Sequence, residues 1–455
     1  MHRRSIFASW RSVLDEIDFD QGIGLALDAI NQDRFALVCG AGLSMAKPSE
    51  IPSAWDVAQD VKQSYDALYG SERPPLSEDI EEQAEFFFAE NQLETMFLRQ
   101  LISPHTFSAN PSRGHIAVAD FLLTKAARIA VSTNVDALIE QAGASLNGNI
   151  AFGVDRHAVA TVVPGQSPLL KIHGCWSSGL DQTVWAPSQI ESGSQKTRID
   201  ECADWLGVHL LNRDLIIIGF FTDWDYLNSV LRRCLGAVNP SNVVVIDPST
   251  TSALADKAPA LFEVGEKCTQ RFVHVRVSGD EFLNELRRKW SLAFFRQVLH
   301  QGHQSLVASG DPRADETLQE PPNLDDEALW KCRRDLEGVG PKEPCTMSKP
   351  PSEPMLGCAH LLLRIAGAEM DRQYWSLNGV RIRVLRASSQ GLHEIEAKHG
   401  DALSPADAPD VTIAVGATDM NLKASIARSR AQGTIVRPKQ NGFVTFETAR
   451  EELGL

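Results

Sequence analysis

Several residue types with chemical capacity stand directly after short apolar runs in this chain. Phe35-Ala-Leu-Val-Cys39 leads into Gly40-Ala41-Gly42-Leu43-Ser44. A buried strand ending in G-x-G is where a doubly wound sheet holds a dinucleotide, because glycines permit the tight turn and small residues let backbone N–H groups approach a pyrophosphate. The third glycine of the full fingerprint is absent, with Met45 in its place, so an ordinary strand-to-helix turn is an equal reading of this segment alone. Downstream, Ser132-Thr133-Asn134-Val135-Asp136 closes a second apolar run and Lys171-Ile172-His173-Gly174 a third. Ile216-Ile217-Ile218-Gly219 and Val245-Ile246-Asp247 continue the series. In open α/β sheets ligands bind at the carboxyl ends of the strands, so residues placed there by consecutive strands converge on one crevice. Each also has a plainer reading: Asn134 and Asp136 suit a helix N-cap, and His173 suits a core histidine bonded to a carbonyl. His115, in Pro111-Ser112-Arg113-Gly114-His115, is read as packing inside its own helix.

The elements that must position these residues are legible as alternation. Apolar runs at 35–39, 128–132, 169–172, 215–218 and 243–246 are short and rich in Val, Ile and Leu, as expected of strands buried on both faces. Residues 272–277 read as a further, edge strand. Phe282, Leu286, Trp290 and Ala293 then recur at helical spacing, with Asp280 as candidate cap. The fold class is α/β: a Rossmann-like, doubly wound, mostly parallel sheet, with a small C-terminal α/β domain. The domain boundaries are 1–305 for the large first domain, 306–354 for a linker with a short helix (328–336) and proline-rich stretches, and 355–455 for the small domain. In the last, strands are expected at 380–385, 411–415, 434–436 and 443–446, with a helix over 422–432. The turn after 411–415 reads as a second nucleotide loop or, more simply, as a plain strand-to-loop junction.

Bulk properties exclude several function classes. A net charge of -15 over 455 residues argues against gripping nucleic acid across a broad basic face. The eight cysteines form no C-x-x-C pair, so neither a zinc ribbon nor a dithiol redox site is expected, and no metal ligands are assigned. The first twenty residues lack the apolar core of a signal peptide, and no run of about 18 apolar residues offers a membrane span. A cytoplasmic protein is expected.

The ordered set of GAG-x-S, STNVD, strand-then-HG and strand-then-glycine resembles the sirtuin (silent information regulator) superfamily over roughly residues 20–295. The resemblance implies NAD as substrate. Gly40, Ala41, Gly42 and Ser44 would line the pyrophosphate and adjoining riboses. Asn134 and Asp136 would stand near the nicotinamide ribose and carboxamide, and His173 would be the catalytic base. Gly219 and Asp247 would hold the adenosine half.

Departures from the protein-deacetylating sirtuins are specific. Their zinc insert carries two C-x-x-C pairs, whereas residues 174–214 here contain only Cys175 and Cys202. Glu50-Ile51-Pro52-Ser53-Ala54-Trp55-Asp56 stands for their flexible loop, with Trp55 in the place of the aromatic that shields the nicotinamide pocket. Thr133 replaces a glutamine, and the GFFTDWD segment (219–225) lacks the serine-bearing strand that pairs with acetyl-lysine peptides. This pattern resembles the zinc-less prokaryotic anti-phage branch, and implies hydrolysis of NAD to ADP-ribose and nicotinamide by Asn134, His173 and Asp136. It also implies a gated homo-oligomer, docked on a partner ATPase or nucleic-acid-binding protein of the same defence system. The alternatives from other classes are a non-catalytic NAD or ADP-ribose sensor and a zinc-less protein deacylase.

Overall fold

The computed structural model describes residues 14–70, 72–162, 165–191, 193–220, 225–400, 408–418 and 442–455. The chain divides into two compact units, Met1–Arg287 and Arg288–Leu455. The helix expected over 422–432, the strand over 434–436 and residues 221–224 of GFFTDWD lie outside the described residues.

The first unit is built on eight strands: β1 (Asp15–Ile17), β2 (Phe35–Cys39), β3 (Ala130–Ser132), β4 (Phe152–Gly153), β5 (Leu169–Lys171), β6 (Asp214–Ile218), β7 (Asn242–Ile246) and β8 (Arg271–Val275). They lie in the order β1-β8-β7-β6-β2-β3-β5-β4, and every neighbouring pair is parallel. All five residues of β2, of β6 and of β7 are buried, as a sheet covered on both faces requires. From β2 the chain runs to β3, on to β4 at the sheet edge and back to β5 between them, then crosses to β6, β7 and β8 on the other side of β2. The order therefore reverses between β2 and β6, the switch point where ligands bind in such sheets. The strand at 271–275 is not an edge strand, because β1 pairs outside it.

Helix α1 (Phe19–Asn31) joins β1 to β2, and between β2 and β3 the chain inserts a helical module. It contains α2 (Ala54–Tyr69), α3 (Ile80–Ala89) and a π-helical segment, Leu93–Leu101. Ser53 starts α2 by accepting from Asp56 N, while Asp56 accepts from Ser53 N, a reciprocal cap. Asp79 starts α3 by accepting from the amides of Glu81 and Glu82. Val57, Val61, Tyr65, Ile80, Phe87 and Phe97 bury against one another, each worth about 1.5–3 kcal/mol of transfer free energy. This module forms one wall of the site.

The second unit has its own core and a five-stranded sheet: β9 (Glu369–Asp371), β10 (Tyr374–Leu377), β11 (Val380–Arg386), β12 (Val411–Val415) and β13 (Gly442–Thr445), in the order β13-β12-β11-β10-β9. The last three strands are parallel, and β9 and β10 are antiparallel additions. The segment that composition marks as a linker is not a solvated strap. Leu324, Ala328, Leu329, Cys332 and Leu336 are buried in this unit's core, because the helix Asp326–Glu337 presents them on one face.

Candidate active site

Ladder register brings the strand ends level. Cys39 pairs with both Ser132 and Ile218, and Ser132 pairs with Lys171. The next residues on each strand, Gly40, Thr133, Gly219 and Ile172, therefore emerge side by side above the switch point. Here the glycine loop meets the end of β6. A Cβ on Gly42 would lie 2.7 Å from Gly219 Cα, and one on Gly40 2.5 Å from Gly219 O. Gly219 itself has φ +73°, a conformation that costs any other residue strain. Gly40 N donates to Ile218 O, Gly42 N to Gly219 O, Leu43 N to Gly40 O and Ser44 N to Ala41 O. Two of these bonds thus tie the loop to the end of β6 and two close it on itself.

The centre of the site is the Ser44 hydroxyl. Its Oγ donates to Asp136 Oδ2 at 2.8 Å and accepts from Asn134 Nδ2 at 2.8 Å. It lies 3.2 Å from His115 Nε2. The direction of that last bond follows from the other end of the ring. Ser112 N, which can only donate, lies 3.1 Å from His115 Nδ1, so Nδ1 is the acceptor and the proton sits on Nε2. Burial holds the His115 pKa below the ordinary histidine value, against the attraction of Asp136 and Asp280, which keeps the ring neutral. A one-way chain results: Ser112 N–H to His115, His115 Nε2–H to Ser44, Ser44 O–H to the Asp136 carboxylate. Asp136 Oδ1 also accepts from Leu138 N at 3.1 Å, at the start of α5 (Leu138–Ser145), the helix that follows α4 (Arg113–Leu123). Asp136 thus bonds both to the first amide of α5 and to the Ser44 hydroxyl. Asn134 differs: its amide oxygen is buried and has no partner among the described residues.

These residues open onto a pocket of ≈ 120 Å³. Ala41, Ser44, Thr133, Asn134, Asp136 and His173 supply its sheet side, while Ile51, Pro52, Val57, Ile80, Phe107 and Trp185 are among the residues on its apolar side. Whole-ligand pockets run to about 300–1,000 Å³, so this one suits a single planar ring with its polar edge toward Asn134 and Asp136. Phe107 and Trp185 stand 5.8 Å apart by ring centroids, and Trp176 packs on both.

His173, at the end of β5, is buried and bonds to the backbone of Thr133. Burial, then the nearby Arg198 guanidinium, pushes its pKa down to about 3. The imidazole is therefore neutral across the physiological range. Arg198 is itself anchored, donating to Val154 O and Ile172 O.

The structure gathers Ala41, Ser44, Thr133, Asn134, Asp136 and His173 around one pocket, with Gly40, Gly42 and Gly219 forming its adjoining backbone. Two expected residues are not brought there. Trp55 is 64% exposed, because the helical pitch of α2 turns Ala54 and Val57 to the pocket and Trp55 away from it; Phe107 and Trp185 supply the aromatic wall instead. Asp247, at the end of β7, is buried and accepts from Ser249 N at 2.8 Å, closing its own turn. Asp280 does not cap its helix; it accepts from Gly114 N at 2.6 Å, at the start of α4. Sequence reasoning missed His115. The available signal was Ser112 at the N-cap with His115 three residues on, the spacing at which a side chain folds back on its cap.

Residues 128–263 match the SIR2-like domain family. Over those residues the chain is similar to a SIR2-like domain. The match spans β3 to β7 and so includes Asn134, Asp136, His173 and Gly219, whereas the glycine loop lies before it. Among solved structures, the chain is similar to a Sir2 homologue in complex with NAD, at 16% identity and TM-score 0.34, over 61% of this chain and 95% of that one. It is likewise similar to a Sir2 complex with p53 peptide and NAD+, at 15% identity and TM-score 0.33, over 58% and 96%. No curated protein matches the sequence. Among the described residues, no group of three or more His, Cys, Asp or Glu side chains is placed to hold a metal ion, and no helix is long and apolar enough to cross a membrane.

Proposed function

We propose that this SIR2-like domain cleaves the bond between nicotinamide and ribose in NAD, with water as acceptor, yielding ADP-ribose and nicotinamide. The observation that carries the reading is the Ser44 hub, which holds Asn134 and Asp136 at the mouth of an apolar, ring-sized pocket beside neutral His173. NAD-utilising chemistry is what a SIR2-like domain implies; hydrolysis is the finer claim.

The chemistry fits these groups. The nicotinamide ring of NAD is a cation before cleavage and neutral after it, so apolar walls favour the product form of the ring. The leaving group needs no acid. As the bond breaks, positive charge develops on the ribose, and the Asp136 carboxylate opposes it. Asn134, its Nδ2 held by Ser44, is left with Oδ1 to accept from a ribose hydroxyl or the attacking water. His173, neutral and bonded to Thr133, takes the proton that the water releases. A weak base suffices because the carbon under attack is already strongly electrophilic. Zinc has no part in this scheme.

The wider role proposed is a gated effector of bacterial anti-phage defence acting by NAD depletion, in a homo-oligomer with a partner ATPase or nucleic-acid-binding protein in the cytoplasm. Gating changes the rate without supplying the bond-breaking residues, so pure protein given NAD alone should show basal release of nicotinamide and ADP-ribose in equal amounts. Release that requires an added acylated peptide would make it a deacylase. Binding without release would make it a sensor.

A further inference from the structure

Beneath the pocket lies a buried cation that the proposed chemistry does not use. Lys171, the last residue of β5, is 1% exposed. Removing an ammonium from water is costly unless its donors are met, and an ammonium has three. All three have partners: the backbone carbonyl of Asp136, Glu140 Oε1 at 2.9 Å and Cys175 Sγ at 3.2 Å. Burial by itself would lower the lysine pKa, but the charge of Glu140, then of Cys175, and the bond to Glu140 raise it above the ordinary value, so the cation persists.

The three acceptors come from the segments that carry the site. Asp136 lies in the loop after β3, Glu140 in the first turn of α5, and Cys175 two residues past His173. Register explains the reach: Lys171 pairs with Ser132, so its side chain starts level with the loop 133–136. Two backbone bonds already join the strand ends, Ile172 N to Ser132 O and Trp176 N to Val135 O. Neither holds the peptide that follows Asp136. Lys171 alone among these contacts fixes that carbonyl, and with it the origin of the carboxylate that accepts from Ser44.

We propose that Lys171, paired with Glu140, is a positioning residue that locks the Asn134–Asp136 loop to the His173 loop in the geometry needed for cleavage. It touches no substrate and acts through the Asp136 carbonyl. The inference rests on the proposed cleavage reaction for its kinetic readout but not for its structural one.

The test replaces both members of the pair, Lys171→Met with Glu140→Leu, because removing one would strand a buried charge while removing both leaves an apolar contact of similar size. Two quantities are compared with the parent: nicotinamide release from NAD, resolved into kcat and KM, and amide hydrogen exchange over residues 133–138. The expected result is a folded variant with kcat down about 10²-fold, as for a misplaced reacting group, KM near the parent value, and faster exchange over 133–138. A folded variant with parental kcat and parental exchange overturns the proposal. So does a variant that fails to fold, which would make the pair a folding element only. If the parent itself releases no nicotinamide, the cleavage reading fails, and the exchange comparison still decides for or against Lys171.

Discussion

At the scale of single residues, Ser44 carries most of the site's order, because one hydroxyl satisfies an amide donor, an imidazole donor and a carboxylate acceptor. Ser44→Ala leaves all three without that partner. The expected outcome is a loss of about 10²-fold in kcat, comparable to removal of one preorganised donor, together with a stability loss of about 1–3 kcal/mol from stranded buried groups. Steady-state kinetics and thermal unfolding measure the two. A second expectation concerns pH. The His173 pKa, pushed down to about 3 by burial and Arg198, means the base is already deprotonated well below neutrality. The acid limb of kcat/KM should therefore lie near pH 3–4, with a flat profile from pH 5 to 8. A limb near the ordinary histidine value of about 6.5 would assign the base elsewhere. Residue types at this scale were legible where they close an apolar run, as Asn134, Asp136 and His173 do. His115 and Lys171 were not, since their roles depend on which segments fold above them.

At the scale of elements, two strand ends must nearly touch for the site to exist. Gly219 has positive φ, and a Cβ there would lie 2.8 Å from Gly42 N. Gly219→Ala should cost at least about 2 kcal/mol, from backbone strain plus separation of the loops, read as a lowered Tm. A parental Tm would show that the loops need not approach so closely. The N-terminus of α2 positions Pro52, Ala54 and Val57 in the pocket wall. Loss of its reciprocal cap in Ser53→Ala should cost about 1 kcal/mol, measurable by denaturant unfolding. The core strands were readable from sequence because runs such as Phe35–Cys39 and Asp214–Ile218 are buried throughout. β1 and β4, with three and two residues, carry too little pattern. Trp55 was misplaced because a motif position fixes a residue's place in the chain, whereas the cap at Ser53 fixes which way its side chain turns.

At the scale of the whole molecule, buried neutral histidines tie stability to pH. Burial lowers His173 and His360 to about 3, and burial aided by Arg383 lowers His399 to about 4. Each folded-state pKa lies below the unfolded value of about 6.5. The unfolded chain therefore binds protons first, and the stability these groups contribute is present above pH 6.5 and lost as pH falls toward 3–4. Tm should be level from pH 7 to 8 and decline steadily below 6.5; a Tm unchanged down to pH 4.5 would contradict this. The α/β class was legible from the alternation of runs. The extent of the second unit was not, because polar, proline-containing composition concealed the buried face of Asp326–Glu337.

The central claim is that Asn134 and His173 cleave NAD using water. Its most direct test is nicotinamide release by the pure protein from NAD alone, beside folded Asn134→Ala and His173→Ala variants. The parent should release nicotinamide steadily, and each variant should lose about 10²-fold or more of that rate. Release by either variant at near the parental rate would contradict the claim.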